Sequence, residues 1–360
     1  MPHLAGISIK QFLDIKDFSS GLLINSKFHG EDEDMAPNHA EPLNKVVLVR
    51  GAKNSKVKTL QKFFTFLHDY LLSDVKCAMK RNAIPEPDNA KREISVNLCV
   101  SMGSDEYRQY EIRVFYSLLG GKVCLMERII EYKEHEKPNE TLLRTGDEVF
   151  LLNQEDGEYK KAAKLNSETM SMFTAQFDNS ILTDADLELG RHLMSYSPFG
   201  FDCSEWASSI SFGNPVPMLT NDGSNISRVA AYWRKKDLAR YDRIAGNTQG
   251  HYISSKQNGG AWELDFTVLG SQSTSVSFYN VPKANIKLYA MKLMLMNAEL
   301  YGNICILYPD RKQSHWEIEH YLNTLEIMSQ LELDSQDAQV WVLTETEYAF
   351  AGTTISTVKI

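Results

Sequence analysis

A strand that is apolar at almost every position, KVVLVR at residues 45–50, ends at Gly51 and is followed by a helical pattern. A run of this kind lacks the polar alternation of a half-exposed strand, so it predicts a strand that is covered on both faces. Over residues 59–79 the apolar side chains recur at the spacing of one helical face: Leu60, Phe63, Phe64, Leu67, Leu71 and Leu72. The buried strand, the short polar loop and the amphipathic helix together predict an α/β fold.

Alternating apolar residues predict strands in the rest of the N-terminal half. Residues 7–12 and 20–25 are expected to be short strands, and an antiparallel meander is predicted from residues 94–100, 107–118 and 122–132. Residues 138–166 continue this meander with turns near Gly146 and Gly157. Further helices are predicted at 183–196, 225–245, 284–300 and 315–333, and further strands at 262–268, 304–307, 339–343 and 353–360. Strands that alternate with helices indicate a mixed sheet with flanking helices.

These elements divide the chain into three parts. Residues 1–166 and residues 261–360 carry the ordered strands and helices, and we expect them to form a single head. Residues 167–260 are less periodic and contain breaks rich in Gly, Asn and Ser at 213–224 and 246–260. The sequence therefore predicts an inserted, mainly helical lobe between the two parts of the head.

The composition argues against several classes of protein. A net charge of -9 argues against a protein that coats nucleic acid over its whole surface. It does not exclude a local basic patch. The five cysteines form no C-x-x-C pair, which fits reduced thiols better than a disulfide framework or a zinc site. No signal peptide and no apolar run of about 20 residues is seen, so we expect a cytoplasmic protein that has no membrane partner.

The loop after Gly51 has the setting of a phosphate-binding loop but not its residues. The pattern G-x-x-x-x-G-K-[ST] needs a second glycine for the backbone, a lysine for the β/γ-phosphates and a hydroxyl for Mg²⁺. Here Lys56, Val57 and Lys58 stand at those three positions. A loop longer by one residue would instead place Lys58 and Thr59 at the lysine and hydroxyl positions. Gly51, Asn54, Lys58 and Thr59 are therefore the vestigial nucleotide-binding candidates.

The C-terminal part has a specific order of elements. The apolar strand at 304–307 is followed by Tyr308 and Pro309, and His315 then opens a helix. A second strand, 339–343, leads into Thr344 and Glu345. This segment, residues 298–350, resembles the C-terminal half of SMC/RecF-like ABC ATPases, with the closest likeness to the OLD-like and abortive-infection-type ATPases of bacterial defence systems. In those families the first strand ends in Asp-Glu, a His follows seven residues after the Asp, and the last strand ends in Thr-Thr-His.

The N-terminal half agrees with the same resemblance. The opening I-x-I-x-x-F, the Gly51 loop and a meander that carries Tyr107, Tyr110, Val123 and Glu127 occur in the same order. The signature that opens a helix before the second half is represented by residues 282–285, which lack its glycine. The resemblance covers about residues 1–135 and 262–352, and it implies an ABC ATPase-like head with an inserted lobe.

The substitutions at the motif positions imply a head without hydrolytic chemistry. Val57 supplies no charge to the phosphates, and Tyr308 cannot hold a magnesium ion as an Asp would. Pro309 removes the carboxylate that would polarise water, which is worth about 10²–10⁴-fold in rate. Glu345 places an anion where a His would sense the γ-phosphate. We therefore expect no catalytic residue and no required cofactor; ATP and Mg²⁺ could bind without hydrolysis, and Asp310 could then reach a metal.

Two charged stretches need separate readings. The first stretch has six cations with Tyr232, Trp233 and Tyr241 between them: Arg228, Arg234, Lys235, Lys236, Arg240 and Arg243. These cations could contact nucleic acid or an acidic partner. The favoured interpretation is the charged outer face of an amphipathic helix. His315 and Glu319 have the spacing of helical metal ligands, but a solvated helix face is favoured there, and no metal site is predicted.

The sequence leads to one main functional hypothesis and two alternatives. The main hypothesis is a pseudo-ATPase scaffold in a bacterial or phage-related defence complex. Because the related heads work as dimers, the partner would be a second copy or an active ATPase or nuclease subunit. The alternatives are a nucleic-acid-binding module that uses the basic helix at 228–243, and a nucleotide sensor that binds without hydrolysis.

Overall fold

The computed structural model describes residues 2–25, 35–51, 56–87, 93–103, 105–117, 122–152, 158–175, 181–200, 210–217, 219–220, 223–248, 250–270, 274–277, 280–282, 285–286, 288–290, 292–293, 296, 303–308, 339–344 and 355–360. For residues 117, 197–200, 303–308 and 355 only the backbone is described. Over the described residues the protein is mixed α/β, with a large antiparallel sheet, a parallel sheet and few helices.

The largest sheet has eight antiparallel strands in the order β11–β10–β9–β8–β7–β6–β1–β2. Its strands are β1 (His3–Phe12), β2 (Ile15–Gly21), β6 (Ile94–Gly103), β7 (Glu106–Ser117), β8 (Lys122–Lys133), β9 (Asn139–Thr145), β10 (Glu148–Leu152) and β11 (Tyr159–Lys164). The predicted meander is therefore confirmed in β6, β7 and β8, which pair in succession. Gly146 turns the chain between β9 and β10 with a φ of 62°, a conformation that glycine adopts without strain.

The second sheet has five strands, all parallel, in the order β12–β18–β19–β5–β20. They are β5 (Val46–Arg50), β12 (Ser197–Gly200), β18 (Asn303–Tyr308), β19 (Gln339–Thr344) and β20 (Ile355–Lys359). The continuous apolar run of β5 is explained by this position, because β5 is an inner strand with both faces covered. Val47 and Val49 join one core cluster, and Val46 and Leu48 join another.

Helix α1 (Val57–Leu72) connects the two sheets through adjacent aromatic residues. The Phe63 ring meets Phe12 of β1 edge-on at 5.5 Å between centroids, and the Phe64 ring meets Trp341 of β19 at 5.4 Å. Both sheets thus share one core along α1. The sequence predicts one helix over 59–79, but α1 ends before Ser73 and a second helix, α2 (Val75–Arg81), follows it. Asp74 caps α2 by accepting a hydrogen bond from the Cys77 amide at 2.9 Å, which is a start signal of the usual kind.

The third sheet lies on the other side of the parallel sheet and has the order β13–β16–β15–β14, with β17 beside β16. Its strands are β13 (Ile210–Phe212), β14 (Asn247–Thr248), β15 (His251–Asn258), β16 (Ala261–Val268) and β17 (Thr274–Val276). Helix α4 (Ile226–Lys236), α5 (Leu238–Tyr241) and a π helix (Asp242–Gly246) pack with this sheet. The described residues between 285 and 296 are helical and complete the same core. A small ladder joins β3 (Ile24–Asn25) to β4 (Ala36–Pro37).

The inserted, mainly helical lobe is not confirmed for residues 167–260. The predicted helix at 183–196 is present as α3 (Asp184–Met194), which Thr183 caps, and the helix predicted at 225–245 is present as α4, α5 and the π helix. However, the same segment contains four strands, and one of them, β12, belongs to the parallel sheet. The predicted boundary at residue 260 falls between β15 and β16, which pair along eight residues. Sequence periodicity did not reveal β13 and β14 because they have only three and two residues. The break predicted at 246–260 is wrong, because β14 and the eight-residue strand β15 lie in this segment.

Candidate functional site at the carboxyl edge of the parallel sheet

The parallel pairing brings the ends of three strands to one edge of the sheet. Arg50 of β5 lies opposite Thr344 of β19, and Thr344 lies opposite Tyr308 of β18. The Gly51 amide donates a hydrogen bond to the Thr344 carbonyl at 3.1 Å, so the chain leaves β5 beside the end of β19. After β5 the chain next enters the sheet at β12, on the side of β5 where β19 lies. After β19 it enters the sheet at β20, on the other side of β5. In open α/β sheets such a reversal of direction is the place where ligands bind.

The described residues around the Gly51 loop differ in burial and in the contacts that they make. Lys56 precedes the helix without capping it through its side chain, and Val57, the first residue of α1, is 0% exposed within the core. Lys58 is exposed. The Thr59 hydroxyl donates to the Asp14 carboxylate in the turn between β1 and β2. Asn54 lies outside the described residues.

Two of these positions, Val57 and Thr59, are already engaged within the protein. A phosphate loop needs a lysine and a free hydroxyl at the start of the helix, pointing at the same anion. Val57 points into the apolar core, and the Thr59 hydroxyl is held by a carboxylate, whose charge repels phosphate. The alternative register, which would use Lys58 and Thr59, therefore gains no support from the contact that Thr59 makes.

The other predicted motif positions are only partly described. Tyr308 is placed by its backbone at the end of β18, next to Thr344. Pro309, Asp310, His315, Glu319 and Glu345 lie outside the described residues, as does the predicted helix at 315–333. Asn285, from the segment compared with the signature, is 4% exposed, and its side-chain amide lies 3.2 Å from Nδ1 of His251. Among the described residues no group of three or more His, Cys, Asp or Glu side chains lies close enough to hold a metal ion.

A buried ionic cluster lies where α1 meets the antiparallel sheet. The Glu127 carboxylate of β8 is 0% exposed and accepts hydrogen bonds from the Tyr70 and Tyr110 hydroxyls, from Arg144 and from the Met172 amide. Arg144 also donates to the carbonyls of Gly146, Ser167 and Met170. The cluster thus joins α1, three strands and the chain that follows β11.

The protonation of this cluster follows from burial and from one carboxylate. Burial raises the pKa of the Tyr70 and Tyr110 hydroxyls, and the nearby Glu127 charge raises both further. For Arg144, burial lowers the pKa, but Glu127, Tyr70 and Tyr110 together outweigh burial and raise the pKa overall. Sequence analysis noted Tyr110 and Glu127 only as motif matches. The signal for the cluster was available, because Glu127 interrupts the apolar positions Val123, Leu125 and Ile129 on one face of β8.

A second buried network lies on the opposite face of the same sheet. Arg128 donates to Glu111 and to Glu140, the latter at 2.9 Å, and Tyr159 donates to Glu140 at 2.5 Å. Burial raises the pKa of Glu140, and the Arg128 charge opposes that shift. Both carboxylates have a cation or hydroxyl partner, so we interpret the network as one that links neighbouring strands and not as an open binding site.

The basic helix predicted at 228–243 contains two kinds of cation. Arg228 and Arg234 bind backbone carbonyls, of Asn214 at 2.7 Å and of Ser255 at 2.9 Å. Lys235, Lys236 and Arg243 are exposed, and Arg240 is partly exposed. Of the interleaved aromatic residues, Trp233 and Tyr241 are packed in the core, at 1% and 0% exposure, and Tyr232 is partly buried. The apolar positions of α4 face the third sheet, which agrees with the amphipathic helix that the sequence favoured.

A scan against models of known protein families finds none that matches this chain, and a search of curated proteins finds no match either. The class of protein is therefore given by the architecture itself, which is mixed α/β with a large antiparallel sheet. In the described part of the chain, no helix combines the length and apolar character that a membrane crossing requires.

Proposed function

We propose that this protein is a catalytically inactive ABC-type ATPase head, which serves as a scaffold for protein–protein assembly. The observation that carries the proposal is the complete burial of Val57. This residue occupies the loop position of the phosphate-binding lysine and is also the first residue of the helix that follows the loop. A lysine is required there because it neutralises the β/γ-phosphates, and a valine in the apolar core has no such function.

The arrangement of the parallel sheet supports the ABC-like part of the proposal. The strand before Gly51, the strand before Tyr308 and the strand that ends at Thr344 are all parallel and end at one edge. The resemblance places the phosphate loop, the magnesium ligand and the γ-phosphate sensor after these three strands. The sheet therefore has the strands that such a site needs, whereas Val57, Tyr308, Pro309 and Glu345 lack its chemical groups.

The scaffold role is supported by the way the head is tied together. Buried side chains join the antiparallel sheet to α1 through Glu127 and to the parallel sheet through Gln339. A head that is fixed internally can present a defined surface to a partner without a nucleotide cycle. We propose that the partner is a second copy or an active ATPase or nuclease subunit, and the likeness to abortive-infection ATPases favours a bacterial or phage-related defence complex in the cytoplasm.

The proposal is tested by nucleotide chemistry and by assembly in the same preparation. We expect no phosphate release from ATP with Mg²⁺, and no thermal shift at millimolar ATP. Molar mass in solution and co-purification from the native host would then identify the partner. ATP hydrolysis that the Lys58→Ala variant abolishes would overturn the inactive-head assignment. A thermal shift with ATP but without hydrolysis would favour the nucleotide sensor instead.

A further inference from the structure

The tip of the hairpin between β15 and β16 carries an asparagine that is followed by two glycines: Asn258, Gly259 and Gly260. Asn258–Gly259 is the one Asn-Gly pair in the sequence. We propose that Asn258 is a self-modification site, at which the folded chain converts its own side-chain amide into a carboxylate through a cyclic imide with the Gly259 nitrogen. The second reactant is water. This site belongs to the third sheet and does not depend on the pseudo-ATPase assignment.

Two glycines make the turn, and both adopt the left-handed backbone conformation. The φ angle is 56° for Gly259 and 87° for Gly260, values that favour glycine at both positions. Asn258 pairs with Ala261 across the ladder, so the two glycines form the whole loop of a two-residue hairpin. The glycine at 259 also serves the chemistry, because a residue without a Cβ atom leaves its backbone nitrogen open to close approach by the neighbouring side chain.

The hairpin tip has no packing over it in the part of the chain that the structure describes. Asn258, Gly259 and Gly260 are all exposed, and a Cβ atom built on either glycine has no atom within 4 Å. The Asn258 amide nitrogen donates to the Glu263 carboxylate of β16 at 3.3 Å, slightly beyond the usual range for such a bond. The side chain is therefore held only weakly, and water has access to the site.

The reaction has two steps and consumes only water. The Gly259 backbone nitrogen attacks Cγ of Asn258, which forms the C–N bond of the imide and breaks the C–N bond to the side-chain nitrogen. That nitrogen leaves as ammonia and carries away the proton that the Gly259 amide loses. Water then opens the imide at either carbonyl carbon. Opening at Cγ gives aspartate, and opening at the backbone carbonyl carbon gives isoaspartate, in which the chain continues through Cγ.

Two other exposed asparagines serve as internal controls because each lacks the following glycine. Asn166 precedes Ser167, and Asn247 precedes Thr248, which is 0% exposed. The Asn247 amide nitrogen also donates to the Asp242 carbonyl at 3.1 Å. A side chain on the following residue crowds the attacking nitrogen, so we expect both asparagines to react more slowly than Asn258.

Conversion of Asn258 places a second carboxylate beside Glu263. The amide that now donates to Glu263 becomes an anion that only accepts hydrogen bonds, so an attraction at the hairpin tip becomes a repulsion. Lys256 lies opposite Glu263 in the ladder, but its ammonium binds Asp265 at 3.1 Å. Isoaspartate also adds a carbon to the backbone and so disturbs the pairing of residue 258 with Ala261. We therefore expect the modified chain to melt at a lower temperature.

The test is a time course of the full wild-type chain at neutral pH in heavy-oxygen water, followed by peptide mass spectrometry. The folded chain should incorporate heavy oxygen at Asn258 at least about tenfold faster than at Asn166 or Asn247, a difference of about 1.4 kcal/mol in activation free energy. Asn258→Gln should incorporate none at this position, because ring closure through the longer side chain is slower. Its melting temperature should stay constant during the time course, whereas that of the wild type falls.

A parallel sample unfolded in urea separates the folded site from the bare dipeptide. The proposal is overturned if Asn258 reacts only in the unfolded chain, or if it reacts no faster than Asn166 and Asn247 in the folded one. Asn258→Asp mimics one product and should melt below the wild type from the start, whereas Asn166→Asp is the matched control and should not. Equal melting temperatures for Asn258→Asp and the wild type would overturn the predicted weakening of the hairpin.

Discussion

The side chain of Gln339, the first residue of β19, binds both backbone polar groups of Leu4 in β1. Its amide nitrogen donates to the Leu4 carbonyl at 2.9 Å, and its amide oxygen accepts from the Leu4 amide at 3.1 Å. The same oxygen accepts from the Tyr196 hydroxyl at 2.6 Å, and the same nitrogen donates to the Asn44 carbonyl at 2.9 Å. One buried amide thus joins the parallel sheet to the antiparallel sheet across 335 residues of chain.

Replacing this amide should weaken the connection between the sheets. We expect Gln339→Met, which keeps the volume, to lower the free energy of unfolding by about 3 kcal/mol or more, because several buried polar groups would lose their partner. Urea unfolding measures the change. Gln257→Met at an exposed position of β15 is the control and should stay within about 0.5 kcal/mol of the wild type. A loss for Gln339→Met no larger than for the control would show that the four contacts carry no net stability.

The Glu127–Arg144 pair should be strongly coupled, because both side chains are 0% exposed. Removing one partner leaves a buried charge, so Arg144→Met is expected to cost about 3–5 kcal/mol. The double variant Glu127→Gln/Arg144→Met should cost less than the sum of the two single changes, since no unpaired charge remains. Lys161→Met, which breaks the exposed pair with Glu148, should change stability by less than about 1 kcal/mol. Additive losses at Glu127 and Arg144 would contradict the coupling.

Restoring the lysine of the phosphate loop should not restore nucleotide binding. Val57→Lys would bury an ammonium group in the apolar core, so we expect a loss of about 3 kcal/mol or more in unfolding free energy and no thermal shift with ATP. Lys58→Ala, at the next and exposed position, should stay within about 0.5 kcal/mol of the wild type. If Val57→Lys folded with unchanged stability and bound ATP, position 57 would be accessible to solvent. The burial of Val57 would then no longer support an inactive site.

The free energy of unfolding should depend on pH in the acid range, in part because of His192 in α3. Burial, followed by the nearby His3 imidazole, lowers the pKa of His192 to about 3, whereas an unfolded histidine has a pKa of about 6.5. Between these values the unfolded chain takes up a proton that the folded chain does not, so stability should fall as the pH decreases from about 6.5 towards 3. His192→Gln should make unfolding less dependent on pH in this window. His39→Gln, at an exposed position, should follow the wild-type profile, and an unchanged slope in His192→Gln would contradict the assignment.

Gly6 should not tolerate a side chain, because β1 approaches the backbone of Leu22 at this point. A Cβ atom on Gly6 would lie 1.9 Å from the Leu22 carbonyl oxygen, and the strand has a bulge between Leu4 and Gly6. Gly6→Ala is expected to cost about 2 kcal/mol or more, since backbone atoms must move. Gly270→Ala, with no atom within 4 Å of its Cβ, should be nearly neutral in the same thermal melts. Equal melting temperatures for the two variants would show that the bulge adapts.

Local patterns were enough to predict most individual elements. The run at 45–50 predicted a buried strand, and it is β5; alternation predicted the meander of β6, β7 and β8. The break between α1 and α2 was missed although Ser73 and Asp74 are ordinary helix-end signals. The short strands β12, β13 and β14 were also missed, because two to four residues cannot show a period.

For the candidate site too, the sequence suggested some features and only the structure showed others. The sequence offered Gly51 and Val57 as candidates through the phosphate-loop pattern, and Tyr308, Pro309 and Glu345 through the resemblance to ABC-type ATPases; these assignments stay predictions. Only the tertiary structure showed that Val57 is buried, that Thr59 binds Asp14, and that the ends of β5, β18 and β19 meet.

What the sequence determined by itself was therefore most of the longer local elements and the chemistry present at each position, since both depend on neighbours a few residues away. The tertiary structure decided which elements pair, how Gln339 reaches Leu4, and which cations of α4 remain exposed. These facts depend on contacts between residues that are far apart in the chain, and neither periodicity nor spacing encodes them.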